Sequence, residues 1–204
     1  MLVFDHLAVA ADRLEEGVAA VEDALGVPLA GGGKHPYMAT HNRLLGLGDL
    51  YLEVIAADPD APRPAWPRWF GLDNFTGRPR LTNWIARTDD LPTALAAAPS
   101  DCGVPVALER GDYRWQMAVP GDGKLPFDSA FPALIQWFGP LHPARALPDA
   151  GVRLARFEIA HPEAAALRAA LAPVFADPRV IITDGPAKAM RATFQTPAGP
   201  RVLE

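Results

Sequence analysis

The chain has 204 residues with 19 basic and 24 acidic side chains, a net charge of −5, and half of its residues are hydrophobic. It contains no basic stripe and no apolar run of membrane-spanning length, so nothing points to nucleic acid or a membrane. A single cysteine, Cys102, excludes an internal disulfide and suits a reducing compartment. The N-terminal segment lacks the basic region and cleavage signature of a secretory signal. We expect a globular, cytoplasmic protein.

Two proline-rich stretches, residues 58–80 and 140–151, interrupt the chain. Proline removes a backbone donor and fixes φ, so such stretches continue neither strands nor helices. They predict three units joined by connections: residues 1–57, residues 81–139 and residues 152–204.

The first unit begins with an apolar, strand-like segment, VFDHLAVAA from Val3. An amphipathic helix follows, with leucine and valine at helical spacing and Gly26 at its C-cap position. Three further strand-like runs come next, the last being LYLEVIAA from Leu50. The predicted order of elements is β-α-β-β-β.

The second unit repeats the first. Residues 83–105 align without a gap with residues 6–28, both copies end in Gly-Val-Pro, and His6 aligns with Asn83. The alternative is that two unrelated segments share this order by chance, which the common Gly-Val-Pro disfavours. An internal repeat outranks local propensity, so we predict two modules of the same topology.

The third unit resembles a shorter module of βαβ type. The segment RLARFEIA predicts a strand, and HPEAAALRAALAPVF predicts a helix with proline in its first turn. This unit has no partner copy in the chain. One hypothesis is that it pairs with its twin in a second subunit, so we expect a homodimer.

Polar side chains interrupt apolar strands at His6, Glu53 and Gln136, the last because ALIQWF resembles LYLEVI. Two modules with one open sheet face each can enclose a cup, and strand alternation then sorts residues into two faces. It places Phe4 on the face of His6. A buried carboxylate is costly unless it is paired or binds a cation. We therefore predict an α+β fold with repeated βαβββ modules, two of them paired into a cup-shaped mixed sheet where these polar residues and Asn83 converge.

These features resemble the vicinal oxygen chelate superfamily, which includes glyoxalase I, extradiol dioxygenases and bleomycin resistance proteins. DHLAVA with its following helix resembles the first strand of that superfamily, and YLEVIA resembles the fourth. The stretch GGGKHPYMATHNRLLGLGDLYLEVIA is similar to the glyoxalase-like domain branch. A His, a Thr-x-Asn and a Leu-Glu recur in that branch and match His35, Thr40, Asn42 and Glu53. The resemblance covers about residues 3–140.

The resemblance implies a divalent metal in the cup, such as Zn, Fe, Mn or Ni. Metal ligands in that superfamily come from the first and fourth strands, which correspond here to His6, Glu53, Asn83 and Gln136. The metal would act as a Lewis acid on a small molecule with vicinal oxygens, in a lyase, isomerase or oxygenase reaction. Glu53 would be the catalytic residue, as ligand, as base, or as both in turn. Asn83 replaces the usual His or Glu, which leaves one anionic ligand.

Alternatives remain for the function and for the single residues. Several members of the superfamily have lost the metal, so a metal-free protein that binds or sequesters a small molecule is the second hypothesis. Candidate substrate-binding residues are His35, Asn42, Tyr51 and Trp115, although His35 also suits an exposed loop. A register shift of one residue would turn Glu53 to solvent.

Overall fold

A computed structural model describes all 204 residues, and its first two units both follow the order β-α-β-β-β. Their elements are β1 (Val3–Ala10), α1 (Leu14–Leu25), β2 (Ala30–His35), β3 (Thr40–Gly46), β4 (Tyr51–Ala57), a 3-10 helix (Trp69–Asn74), β5 (Arg80–Arg87), α2 (Leu91–Ala97), β6 (Val104–Arg110), β7 (Tyr113–Val119), α3 (Pro126–Ser129) and β8 (Ala133–Phe138). The predicted α+β fold with repeated βαβββ modules is confirmed.

The eight strands form one mixed sheet in the order β2-β3-β4-β1-β5-β8-β7-β6. In each module the first strand pairs in parallel with the last strand of the same module, β1 with β4 and β5 with β8. The antiparallel pair β1–β5 joins the modules at the centre. The sheet curls until its edge strands, β2 and β6, approach each other, and its concave side forms the predicted cup.

The two crossover helices lie on the convex side of this sheet. Helix α1 buries Leu14, Val21 and Leu25 and ends at Gly26, whose φ of 71° is the left-handed conformation that glycine adopts without strain. Asp90 caps the N-terminus of α2, and its carboxylate accepts a hydrogen bond from the Thr93 backbone N–H at 3.0 Å. No helix of the structure has the length and apolar character needed to cross a membrane.

The third unit forms a separate four-stranded sheet in the order β10-β9-β11-β12. A short helix, α4 (Pro143–Ala146), lies in the connection before it; its own elements are β9 (Arg153–His161), α5 (Ala164–Leu171), β10 (Val180–Asp184), β11 (Ala189–Thr196) and β12 (Gly199–Leu203). The first strand, β9, lies between β10 and β11, whereas β1 and β5 each pair with the last strand of their module. The strand order of this unit therefore differs from that of the first two.

The small sheet packs on the convex side of the large sheet. Phe157 and Phe194 of the small sheet share one core with Phe4 and Trp84 of the large sheet, and the Phe4 and Trp84 rings meet edge to face at 5.4 Å. The apolar face of the third unit is thus covered by its own chain. This removes the reason for expecting that face to pair with a twin in a second subunit.

Candidate functional site

The concave face of the sheet carries the polar residues of the first module. His6 pairs with Tyr51, and Ala8 lies between Glu53 of β4 and Asn83 of β5. Residues that are directly opposite in paired strands share a face. The side chains of His6, Tyr51, Glu53 and Asn83 therefore all lie on the cup side.

A β-bulge at Asp5 determines which side chains of β1 enter the cup. Phe4 pairs with Ala86 and His6 with Ile85, so Asp5 has no partner in β5. The extra residue interrupts the alternation of faces. Phe4 consequently packs in the convex core, and the prediction that it shares the face of His6 is wrong.

Asp5 is fully buried and anchors His6. Its carboxylate accepts hydrogen bonds from His6 Nδ1 at 2.6 Å, His142 Nε2 at 2.8 Å and Trp137 Nε1 at 3.2 Å. Burial alone would raise the pKa of Asp5, but the hydrogen bonds from His142 and His6 hold it well below its usual range. Asp5 is therefore an anion that keeps the proton of His6 on Nδ1 and directs Nε2 into the cup. Sequence reasoning missed Asp5, although the residue directly precedes His6 in the DHLAVA motif.

His6 and Glu53 face each other across a short gap. His6 Nε2 lies 3.6 Å from Glu53 Oε2, and the imidazole stacks on the Tyr51 ring at 4.2 Å. Burial alone would lower the pKa of His6, but Asp5 and Glu53 raise it, which favours the imidazolium form. Burial alone would raise the pKa of Glu53, but His6 and a hydrogen bond from Asn42 lower it to about 2. Without substrate, the His6 imidazolium therefore lies between the carboxylates of Asp5 and Glu53.

Asn42 connects Glu53 to the rim of the cup. Its Nδ2 donates to Glu53 Oε1 at 2.5 Å, and its Oδ1 accepts from the Gly33 backbone at 2.9 Å. These bonds fix the orientation of the amide. One Glu53 oxygen is therefore committed to Asn42, while the other faces His6.

His35 is buried at the end of β2, so the alternative of an exposed loop is wrong. Burial, together with the charge of Arg110, lowers the pKa of His35 to about 4 against the opposing effect of Glu53. The neutral ring receives a hydrogen bond at Nε2 from Arg110 at 3.2 Å. Its Nδ1 then carries the proton and donates to Thr40 Oγ1 at 3.1 Å.

Arg110 is the one cation that the second module contributes to the cup, and sequence reasoning missed it. It ends β6, and its side chain crosses the gap between the sheet edges to reach His35 and Asn42, with Nη1 at 3.2 Å from the Asn42 Oδ1. It passes over Gly33 in β2, where a Cβ atom would lie 2.7 Å from the Arg110 Cδ. Of the three glycines in β2, Gly33 leaves room for this side chain, whereas a Cβ atom at Gly32 would lie 2.0 Å from the Asn42 carbonyl oxygen.

The remaining wall of the cup is mostly aromatic and aliphatic. It consists of Leu44, Tyr51, Trp69, Phe70, Trp115, Met117, Ile135 and Trp137. The pocket is narrow, with a cavity volume of about 30 Å³. Burial, reinforced by the negative charges of Asp5 and Glu53, holds the pKa of Tyr51 well above its usual range. The predicted substrate-binding residues Tyr51 and Trp115 both line this pocket beside His35 and Asn42.

Gln136 lies outside the cup, contrary to the prediction. Its Oε1 accepts from the Leu91 backbone at 3.0 Å and its Nε2 donates to the Asp89 carbonyl at 2.7 Å. Both partners lie at the start of α2 on the convex side, and Oε1 also accepts from Gln116 Nε2 of β7 at 2.8 Å. Gln136 is therefore a structural residue of that helix start.

The register of the second module explains this error. Ile85 pairs with Ala133 in the second module just as Ala8 pairs with Glu53 in the first. Ala133, rather than Gln136, is therefore the counterpart of Glu53. Similarity between LYLEVI and ALIQWF misplaces the alignment by three residues.

The residues present do not fit a divalent metal. No group of three or more His, Cys, Asp or Glu side chains is arranged to hold one. The counterpart of Glu53 is Ala133, and Asn83 is a neutral amide whose two polar atoms find no hydrogen-bond partner. His6 and Glu53 do lie together, with 3.6 Å between Nε2 and Oε2, but the second module adds no carboxylate or imidazole beside them. The predicted ligand ring of His6, Glu53, Asn83 and Gln136 is not assembled.

Two βαβββ modules paired around a concave sheet define the vicinal oxygen chelate class of proteins. Within it, the chain belongs to the glyoxalase-like domain family, whose model matches residues 4–175. The chain is similar in fold to a hypothetical protein from Staphylococcus aureus, with a TM-score of 0.64 and 14% identity over 92% of this chain and 88% of that chain.

Two further solved structures align over a smaller share of the chain and with lower scores. Methylmalonyl-CoA epimerase from Mycobacterium tuberculosis is 16% identical over 66% of this chain and 85% of that chain, with a TM-score of 0.44. A hypothetical protein from Bacillus halodurans is 13% identical over 69% and 96%, with a TM-score of 0.45. No curated protein matches the sequence. At such identities the likeness concerns the fold alone.

Proposed function

We propose that the chain is an isomerase or lyase that moves a proton at a carbon next to a carbonyl, in a small molecule with vicinal oxygens, using side chains in place of a metal. The observation that carries this proposal is the gap of 3.6 Å between His6 Nε2 and Glu53 Oε2. At that distance the two groups attract each other but make no hydrogen bond. A substrate oxygen can take the His6 donor and leave a Glu53 oxygen free.

The free carboxylate is the base of the proposed step. A substrate oxygen that accepts from His6 Nε2 removes the main contact that lowers the pKa of Glu53, so Glu53 becomes more basic once substrate is bound. Glu53 takes the proton from carbon, and the C–H electron pair moves into the enolate. The same carboxylate returns the proton to that carbon, or to its neighbour while the substrate hydroxyl proton passes to the oxygen that carried the negative charge, so atoms and electrons balance without an added reagent.

Two cationic groups stabilise the negative charge of the enolate. The imidazolium of His6, held by Asp5, donates from Nε2, and Arg110 adds positive charge at the rim. Both are fixed by hydrogen bonds before substrate arrives, and preorganised donors in a dry site are worth more than in water. They supply the role that a metal would have as a Lewis acid.

A second candidate is a metal-free protein that binds a small molecule without changing it. The observation that favours it is the aromatic wall, in which Trp115 and Trp137 pack at 5.3 Å beside the polar groups. Such a wall suits retention of a flat ligand. The two candidates differ only in whether carbon-bound protons exchange.

The test is proton exchange followed by ¹H NMR in D₂O, with a panel of 2-oxo aldehydes, 2-hydroxy ketones and 2-oxo acids. We expect loss of the signal from hydrogen next to the carbonyl for at least one class, and Glu53→Gln should slow it about 100-fold or more. The matched control is Glu16→Gln on the exposed face of α1, which should leave the rate unchanged.

A chelator arm separates this reaction from a metal-assisted one. Dialysis against EDTA should leave the exchange rate unchanged. Loss of activity on chelation and its recovery with Zn²⁺ or Mn²⁺ would overturn the metal-free step. Saturable binding without exchange for any compound in the panel would replace the enzyme by the binding protein.

A further inference from the structure

Arg110 carries a charge that the protein itself does not neutralise. Its guanidinium contacts two neutral acceptors, the Nε2 of His35 and the Oδ1 of Asn42, each at 3.2 Å. It forms none of the ion pairs of the structure, whereas Arg87 lies 3.5 Å from the buried carboxylate of Asp5. A half-buried cation held by neutral groups has lost water without gaining a counter-ion.

The position of Arg110 places it in contact with anything that enters the cup. It lines the pocket with His6 and Glu53, and it also lines the two surface grooves on either side of the gap between β2 and β6. Only one Arg110 nitrogen, Nη1, is used in hydrogen bonds to side chains. Guanidinium donors in a fork are suited to a carboxylate.

The separation between the base and the cation limits the substrate further. A single amide connects them, since Asn42 Nδ2 donates to Glu53 Oε1 and Asn42 Oδ1 accepts from Arg110. Glu53 and Arg110 are thus separated by about the span of one amide group, so a small molecule can contact both. We infer that the substrate is a small carboxylic acid whose carboxylate binds Arg110, whose carbonyl adjoins that carboxylate and whose acidic C–H adjoins the carbonyl, as in 2-oxo acids. This inference rests on the proposed proton transfer for its chemistry, but its anion site can be tested alone.

Calorimetric titration with 2-oxobutanoate and with pentane-2,3-dione isolates the charge, because the dione replaces the carboxylate by an acetyl group of similar shape. We expect 2-oxobutanoate to bind at least tenfold more tightly than the dione, with an affinity that falls as salt is raised. Arg110→Gln should remove that preference. The matched control, Arg114→Gln, changes an exposed arginine of the same hairpin that pairs with Glu109 outside the cup, and should leave binding unchanged.

The outcomes separate this inference from the proposed reaction. Equal binding of the two compounds, no binding of 2-oxobutanoate, or unchanged binding in Arg110→Gln would overturn the anion site. Glu53→Gln should retain or strengthen binding of 2-oxobutanoate because it removes a negative charge, while abolishing proton exchange. Binding that depends on Arg110, without exchange in the wild type, would support the anion site and contradict the proposed reaction. Proton exchange of the dione at a rate that Arg110→Gln does not change would support the proposed reaction and contradict the anion site.

Discussion

The two modules carry the same β-bulge with different chemistry. In β1 the extra residue is Asp5, followed by His6; at the equivalent point of β5 the extra residue is Thr82, followed by Asn83. Asp5 and His6 are bonded to each other and to the residues around them. The buried side-chain polar atoms of Thr82 and Asn83 find no partner. The bulge thus belongs to the shared backbone, whereas the charged pair belongs to the first module alone.

The two modules therefore contribute different kinds of side chain to the cup. The first module supplies the carboxylates and the imidazoles, and the second supplies Arg110 with the tryptophans Trp115 and Trp137. A metal shared symmetrically would need ligands from both halves, and Ala133 stands where the second carboxylate would be. The asymmetry favours a substrate held by its charge at one side and deprotonated at the other.

Among the changes that test this comparison, the largest expected effect follows from removing the carboxylate of Asp5, the extra residue of the bulge in β1. Asp5→Asn should slow proton exchange about 100-fold, because His6 loses the carboxylate that orients it and raises its pKa. Titration of His6 followed by NMR should move to lower pH in the variant, a change that a purely structural role of Asp5 would not produce. Asp149→Asn is the control, since Asp149 is an exposed carboxylate bonded to Arg153. An unchanged His6 titration would show that Asp5 does not act through His6.

The topology of the two modules could be predicted from the sequence, but much of the chemical difference between them could not. The repeat predicts the topology correctly because apolar periodicity indicates which segments form strands and helices, and the shared Gly-Val-Pro aligns the two modules. Strand alternation correctly groups Glu53 with Tyr51 and His6 with Ala8, but it misplaces Phe4 because the bulge at Asp5 cannot be read from the alternation. The prediction for Gln136 is wrong because similarity between two short strand motifs does not determine the register of a strand. Arg110 was not predicted because its side chain reaches the site across a gap between strands that are distant in sequence.

A smaller effect concerns acid sensitivity, which we expect to come from the first module. His35 is kept neutral with a pKa of about 4, while in the unfolded chain it titrates near 6.5. Between these values the unfolded state binds the extra proton, so the free energy of unfolding falls as pH is lowered, by up to about 1.4 kcal/mol per unit. Urea denaturation of His35→Gln between pH 7 and 4 should show a shallower decline than the wild type. Parallel curves would contradict this assignment.

The smallest effect should come from the residue that sequence similarity misplaces. Gln136→Ala removes the acceptor of the Leu91 backbone N–H and the donor to the Asp89 carbonyl, both at the start of α2. We expect a loss of about 1 kcal/mol in the free energy of unfolding, measured by urea denaturation. Proton exchange and 2-oxobutanoate binding should be unchanged, because Ala133, and not Gln136, is the counterpart of Glu53. A loss of proton exchange at an unchanged free energy of unfolding would show that Gln136 acts in the site, and would contradict the assignment of Ala133 as the counterpart of Glu53.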